Sequence, residues 1–423
     1  MTAFPKTSKN LSRRGFIGAS ALAPAALMLQ AGEAHAAAST RAQLAAVHSG
    51  SPAHQLLYKT DEFFIAHRGA GNISPEHTAY AYAESVRRGA LAVEISVRTT
   101  SDGQFVCMHD TNIKRTTGAS MDVRGHTLAE LRQYKVNMRK NLGEKTDLYN
   151  IPTLEEAIAA INAVPAGGEY ASVGGKKVVL FLEAKDGPAQ AGLVKFITER
   201  GLQRRTVIKM YRDGSGGFKP TSKYLKLANS AGCATWCYFD GGDPIDKISA
   251  MARHENVDAI GVPYYEKPTG ASHGSMSEAN VRTLTGLGKA VIVWEIHRRS
   301  AYEKYKALGV KGFMCPDPYW VIGDPFDASV KIKTGKRPHG MLPADPSVAA
   351  DMPDLTGAAI VHNQRYDESV LLGPLANYTT REKYTLDFSM KWTGALPKQD
   401  GHYGYIAFGR EHDGPFGIGK KFA

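Results

Sequence analysis

Between Phe63 and Val321 short apolar runs alternate with amphipathic stretches, and this alternation limits the possible folds more than any other feature of the chain. Strand-like runs fall at Phe63–Ala66, Leu91–Val97, Phe105–Met108, Val178–Leu182, Thr206–Met210, Ala234–Phe239, Ala259–Val262, Ala290–Ile296 and Gly312–Cys315. Helical patterns separate most of them: Pro75–Arg88 closed by Gly89, Leu128–Tyr134, Leu154–Ile161, Ala189–Glu199, Tyr224–Asn229, Asp246–His254, Glu278–Gly286 and Ala301–Leu308. Repeated βα units of this kind predict an α/β fold, a TIM (β/α)8 barrel of about 250 residues, rather than two small domains. There are more runs than barrel places. Only residues 98–104 join Leu91–Val97 to Phe105–Met108, and a parallel crossover needs about a dozen residues. Phe105–Met108 is therefore expected to fold back as a hairpin about Ser101-Asp102-Gly103, leaving the barrel and returning His109 to the neighbourhood of Glu94. Gly312–Cys315 is a second candidate for an end segment outside the barrel.

The flanks read differently. Ser12-Arg13-Arg14-Gly15-Phe16-Ile17-Gly18, the Ala/Leu-rich run to Leu29 and Ala34-His35-Ala36 resemble a twin-arginine export signal, placed at 1–36. The run is too short and too interrupted by Gly18, Ser20 and Pro24 to suggest a membrane span, and no later segment reaches about 18 apolar residues. The barrel domain is assigned to 37–330, its first residues to 60 forming a loose lead-in or surface helix. A Pro/Gly/Lys-rich linker follows at 331–354, then a short β-rich, sandwich-like module at 355–423. Tyr378, Tyr384, Trp392, Tyr403 and Tyr405 of that module either stack on sugars, giving a cell-wall or carbohydrate contact, or fill the module's own core. A secreted or cell-envelope location follows from the signal, with no transmembrane segment after cleavage.

The chain carries a formal charge of +11, and loss of residues 1–36 with Lys6, Lys9, Arg13, Arg14 and Glu33 leaves +8. A basic surplus suits an anionic partner. Nucleic acid is excluded as the first choice, because no basic recognition helix, zinc finger or aromatic RNA-binding motif is present. Four cysteines, Cys107, Cys233, Cys237 and Cys315, are too few for a disulfide scaffold in a chain of 423 residues. Cys233 and Cys237 are expected to be buried free thiols, since four strand residues span roughly 13 Å and a disulfide needs about 5.5 Å between Cα atoms.

Three polar clusters sit at the C-terminal ends of strand-like runs, the face at which barrel active sites are built. They are His67-Arg68-Gly69 with Pro75-Glu76, Glu94 with His109-Asp110 on the returning hairpin, and Glu183 with Lys185. Hard carboxylate oxygens suit a divalent cation, Ca²⁺ or Mg²⁺, and such an ion neutralises phosphate charge. Arg68 and Lys185 can bind non-bridging phosphate oxygens, and two histidines can divide acid and base roles near neutral pH. Phosphodiester hydrolysis is the chemistry this set suits.

The same residues carry a family resemblance. His67-Arg68-Gly69, Pro75-Glu76-His77-Thr78, Glu94-Ile95-Ser96-Val97, Thr100-Ser101-Asp102-Gly103, His109-Asp110 and Arg115-Thr116-Thr117 resemble, in order, the glycerophosphodiester phosphodiesterase family. Leu182-Glu183-Ala184-Lys185, Val293-Trp294 and Gly309-Val310-Lys311-Gly312 continue the likeness to about Val321. The resemblance implies a barrel that hydrolyses a small glycerophosphodiester or phospholipid-derived substrate to an alcohol and glycerol 3-phosphate. It implies that His67 and His109 are the acid/base pair, that Glu94 and Glu183 hold the metal with Glu76 beside them, and that Arg68 and Lys185 contact phosphate.

Four positions depart from the family pattern. Ser96 stands where the family has a second metal carboxylate, so the cation site loses one formal charge. Glu295 follows Trp294 where the family has Thr, and is a candidate replacement ligand. His77 replaces an Asn, and the Asp of Cys315-Pro316-Asp317-Pro318 is displaced by one position. Two alternatives follow: a catalytically weakened relative that binds phosphodiesters or cell-wall polymers, and a sphingomyelinase-D-like lipid phosphodiesterase.

Overall fold

A computed structural model of the chain describes residues 50–71, 74–138, 147–167, 173–264, 274–296 and 299–316, with 318 and 321. The expected export signal, linker and β-rich module lie outside the described residues, as does Asp317.

The described residues hold nine strands, in chain order β1 (Phe63–Ala66), β2 (Ala92–Thr99), β3 (Phe105–Cys107), β4 (Val179–Ala184), β5 (Thr206–Tyr211), β6 (Ala234–Tyr238), β7 (Ala259–Pro263), β8 (Ala290–Trp294) and β9 (Gly312–Cys315). Eight of them pair in parallel and close, because β1 pairs with both β2 and β9. β3 runs antiparallel to β2, pairing Val97 with Cys107 and Thr99 with Phe105, as the short 100–104 connection requires.

Gly312–Cys315 is not an end segment. β9 pairs in parallel with β1 on one side and β8 on the other, so it closes the barrel. Its four residues are all buried, and Phe313 and Met314 face different apolar clusters. Over its described part the chain before β1 is helical and not loose, with Gln55 and Lys59 exposed on its outer side. Residues 52–59 form two helical turns whose Ala53, Leu56 and Leu57 are buried in the same cluster as the barrel interior.

Among the described residues, seven helices of eight or more residues cover the outside: α1 (Ala79–Arg87), α2 (Leu154–Asn162), α3 (Gly187–Glu199), α4 (Lys223–Ser230), α5 (Ile245–Arg253), α6 (Glu278–Thr285) and α7 (Arg299–Ala307). Their starts are written in the sequence. Thr78 caps α1 by accepting from the Ala81 N–H, and Thr153 with Glu156 forms a capping box at α2. α1 begins later than its apolar pattern suggests because Pro75-Glu76-His77 forms a turn, with His77 at φ +57°.

Strand alternation divides each apolar run between two cores. Ile65, Ala92, Val179, Phe181, Val207, Trp236, Ala259 and Ile292 fill the barrel. Val93, Leu180, Leu182 and Ile208 face outward to the helices. Gly261 makes room inside, since a Cβ there would lie 2.5 Å from Trp236 Nε1 and from Tyr238 Cβ. The excursion that starts at β3 has its own small core of Val106, Met108, Ile113, Val123, Leu131, Val136, Met138 and Ile151. One step beyond the apolar filling, towards the C-terminal mouth, the inward positions become Glu94, Ser96, Glu183, Lys209 and Tyr238. All four cysteines are buried free thiols.

Candidate active site

His67 occupies the first position after β1, and its N–H donates to the Cys315 carbonyl at 2.9 Å, extending the β1–β9 ladder. The ring is buried, with Nε2 3.9 Å from Glu94 Oε2 and Nδ1 3.4 Å from Glu295 Oε2. The chain then turns through three left-handed residues, Arg68, Gly69 and Ala70, at φ 55°, 74° and 62°. For the two that are not glycine this conformation costs about 1–2 kcal/mol each. Gly69 has a second reason to be glycine: a Cβ there would lie 3.0 Å from Ala81 Cβ on α1. The turn is held from within the barrel, where the Arg68 N–H donates to Glu94 Oε2 at 3.1 Å.

Glu76 is buried and commits both oxygens to guanidinium groups. Oε1 accepts from Arg115 Nη2 at 2.6 Å; Oε2 accepts from Arg115 Nη1 at 2.7 Å and lies 3.5 Å from Arg68 Nη1. Burial works to raise this carboxyl, but Arg68 and Arg115 outweigh it and bring it from 4.5 to about 2. Glu76 thus anchors two cations instead of presenting open oxygens to a metal. Next to it, buried His77 shares a 2.5 Å hydrogen bond between Nδ1 and the Tyr82 hydroxyl. Burial pushes its imidazole down to about 3, so it is neutral at pH 7.

His109 comes back on the excursion as expected. Its backbone carbonyl accepts from Arg98 Nε at 3.0 Å and Nη2 at 2.8 Å. Nδ1 lies 2.8 Å from Asp110 Oδ1, and Asp110 in turn accepts from Arg115 Nε at 2.7 Å. Burial opposes ionisation of Asp110, yet His109 and Arg115 hold its carboxyl below the usual range. An ionised carboxylate only accepts, so His109 Nδ1 carries the proton and Nε2 is left as the acceptor. Burial, with Lys185 and Arg68 nearby, lowers the ring to about 4 against the pull of Asp110.

The centre of the mouth is a buried cluster of two carboxylates and two ammonium groups. Register sets it, since Ser96 faces Glu183 across β2–β4 and Glu183 faces Lys209 across β4–β5. Lys209 Nζ stands 3.1 Å from Glu94 Oε1 and 2.7 Å from Glu183 Oε2. Lys185 Nζ is 2.9 Å from Glu183 Oε1, which also accepts from the Tyr238 hydroxyl at 2.7 Å. Ser96 Oγ donates to Glu94 Oε1 at 3.1 Å. Burial would raise both carboxyls. Lys209 and then His67 hold Glu94 well below its usual value, and Lys185 with Lys209 brings Glu183 to about 2. Burial lowers Lys185, whereas the two carboxylates overcome burial at Lys209 and raise it.

A divalent ion does not fit this cluster as it stands. Ca²⁺ bonds oxygen at about 2.3–2.6 Å, and the space within reach of both Glu94 Oε1 and Glu183 Oε2 holds the Lys209 ammonium. Two unit cations about 4 Å apart repel by ~4 kcal/mol at an effective dielectric of about 20, and a divalent ion doubles that. Glu295 contacts His67, Glu76 contacts arginines, and Ser96 is neutral. Among the described residues no three His, Cys, Asp or Glu side chains are grouped to hold a metal ion.

The structure therefore brings His67, Arg68, Glu76, Glu94, His109, Glu183 and Lys185 to one mouth, with Glu295 at its edge. Sequence reasoning missed Lys209, the anchoring role of Arg115, and Tyr238. Lys209 had a signal: a lysine inside Thr206–Tyr211, an otherwise apolar strand of a parallel sheet, is out of place unless paired. Beside the cluster lies a cavity of about 380 Å³ lined in part by Glu183, Lys185, Gln190, Tyr211, Tyr224 and Tyr238. That volume suits a small ligand. No helix among the described residues is long and apolar enough to cross a membrane.

Residues 67–207 match the Glycerophosphoryl diester phosphodiesterase family. The chain is similar to a glycerophosphodiester phosphodiesterase of Caldanaerobacter subterraneus subsp. tengcongensis, 30% identical over 264 residues that make up 61% of this chain and 95% of that protein. It is also similar to human glycerophosphodiester phosphodiesterase 1, 38% identical over 97 residues, 22% of this chain and 29% of that one. Among solved structures it is similar to an Oleispira antarctica phosphodiesterase in complex with the product sn-glycerol-3-phosphate, at 20% identity and TM-score 0.47, covering 62% of this chain and 95% of that chain.

Proposed function

From the premise that this chain belongs to the glycerophosphoryl diester phosphodiesterase family, we propose that it hydrolyses a small glycerophosphodiester to an alcohol and glycerol 3-phosphate, with His67 and His109 as its acid/base pair. The observation that carries the reading is the His109–Asp110–Arg115 chain, which fixes one imidazole as a neutral proton acceptor at the rim where His67, Arg68 and Lys185 meet. His109 Nε2 takes a proton from the attacking water as the water oxygen bonds to phosphorus. His67, flanked by the Glu94 and Glu295 carboxylates, gives a proton to the departing alcohol oxygen as the other P–O bond breaks. Arg68 and Lys185 bind the non-bridging oxygens, and the neighbouring cavity receives the substituent beyond the phosphate.

Members of the family are generally dependent on a divalent metal, and Ca²⁺ or Mg²⁺ on Glu94 and Glu183 is the form that dependence would take here. The cluster as built does not fit such an ion, so the steps above use none. Export by the twin-arginine route and a cell-wall contact through residues 355–423 belong to the same proposal, supported by the sequence patterns at 12–36 and 378–405.

Release of glycerol 3-phosphate from glycerophosphocholine by the full chain, compared with His67→Ala and His109→Ala, tests the reading. Each variant is expected to lose about 10²–10⁴-fold in turnover. Tight diester binding without turnover would replace this reading with a binding relative, and choline release from sphingomyelin alone would replace it with a lipid phosphodiesterase.

A further inference from the structure

β5 places Val207 and then Lys209 on the inside of the barrel, so the lysine stands one layer above the apolar filling. Its ammonium bridges Glu94 and Glu183 at 3.1 and 2.7 Å and lies 5.6 and 5.3 Å from the rings of Trp236 and Tyr238. Ser96, whose hydroxyl bonds the same Glu94 oxygen, stands where the family resemblance calls for a third carboxylate. The two residues balance in charge: Ser96 leaves the site one anion short, and the Lys209 ammonium supplies a cation between the two carboxylates that remain. The side chain is also buried, so its charge is held within the cluster between the two carboxylates.

We propose that Lys209 is the built-in cation of this site, occupying the place of a divalent metal, and that the protein works without one. The catalytic half of this inference rests on the hydrolase reading above; the occupancy half does not, because it is read from metal binding alone. Lys209 neither gains nor loses a proton in the reaction. It holds Glu94 and Glu183 in place, so that Glu94 in turn holds the Arg68 turn and faces His67, and it adds a fixed positive charge beneath the phosphate. In that sense it is a positioning residue. The exchange of P–O bonds and the two proton transfers remain those of His109 and His67.

The test uses the full chain stripped with a chelator. Ca²⁺, Mg²⁺ and Mn²⁺ are titrated while the heat of binding and the unfolding temperature are followed, since an ion that binds the folded state raises that temperature. Glycerophosphocholine turnover is measured with and without chelator. The proposal expects no saturable ion binding and turnover within about twofold of the untreated protein, far from the 10²–10³-fold typical of removing a charge-stabilising group. In a second arm, Ser96→Asp combined with Lys209→Gly restores the carboxylate and removes the ammonium. That variant is expected to bind a divalent ion and to gain at least about tenfold in turnover when the ion is added, a response that a merely structural lysine would not produce. Saturable binding of an ion to the wild-type chain that is lost in Glu94→Gln overturns the proposal. So does wild-type turnover that disappears on chelation and returns with metal. If no diester is turned over with or without metal, the hydrolase reading falls while the ion titration still decides the place of Lys209. If the double variant does not fold, the wild-type titration decides alone.

Discussion

Removal of the Arg115 side chain should cost stability and turnover together, and acid should erase the first cost. Arg115 makes two hydrogen bonds to buried Glu76, at 2.6 and 2.7 Å, and two to Asp110, at 2.7 and 3.2 Å. Burial opposes the charge on Glu76, and Arg68 with Arg115 overcomes it, moving the carboxyl from 4.5 to about 2. A displacement of that size corresponds to about 3 kcal/mol of folding stability at neutral pH. Arg115 is one of two cations involved and is about a third exposed, so solvent screening leaves it roughly half, about 1.5–2 kcal/mol. Because the folded value is depressed, this stability is fully present above about pH 4.5 and is lost as pH falls towards 2. Urea unfolding of wild type and Arg115→Ala should therefore differ by about 1.5–2 kcal/mol at pH 7 and converge near pH 2. Arg115→Lys should recover only part of the difference, since a single ammonium cannot reproduce the fork. Turnover should fall at least about tenfold, because Asp110 loses the group that orients it. A difference below about 0.5 kcal/mol at pH 7, or one that persists unchanged in acid, would refute the reasoning.

Asp110→Asn keeps the shape of the His109 contact but removes the charge that fixes the proton on Nδ1; turnover should fall by about 10²-fold with stability changed by less than ~1 kcal/mol, checked by kinetics alongside urea melts. His77 is buried and its ring is pushed down from 6.5 to about 3. The unfolded chain therefore takes up a proton first, and its contribution is lost as pH falls from about 6.5, at up to about 1.4 kcal/mol per pH unit. His77→Asn should flatten the stability profile between pH 6 and 4, and an unchanged slope would count against the buried neutral ring. Gly261→Ala should destabilise by about 1–3 kcal/mol through its clash with Trp236 and Tyr238, and should weaken the Tyr238 bond to Glu183, visible as lower turnover in whatever fraction stays folded.

The barrel was legible because its strands are short, apolar and regularly spaced, and because the seven residues between Val97 and Phe105 cannot carry a parallel crossover. Closure was not. Gly312–Cys315 is a four-residue run that has meaning only when β1 and β8 lie on either side of it, a relation no local pattern contains. The site was legible to the extent that its residues lie on or just after the strands: His67 and Lys185 directly follow β1 and β4, and Glu94 and Glu183 are inward-facing residues of β2 and β4. What each carboxylate does there was not legible. Glu76 was expected beside a metal, and its oxygens go to an arginine 39 residues away. Glu295 was expected to replace the carboxylate missing at Ser96, and it lies against His67. Lys209 was open to detection, because inward positions of a fully buried strand are apolar unless a counter-charge waits for them. Counting charges at Ser96 without asking which cation they face leaves that partner out.

The most direct measurement of the central claim follows glycerophosphocholine by phosphorus NMR in the presence of the purified full chain. The account predicts that the diester signal is replaced by that of glycerol 3-phosphate, and that His109→Ala leaves the diester intact over the same period. A diester signal that persists with the wild-type chain, with chelator and with added Ca²⁺ or Mg²⁺ alike, would contradict it.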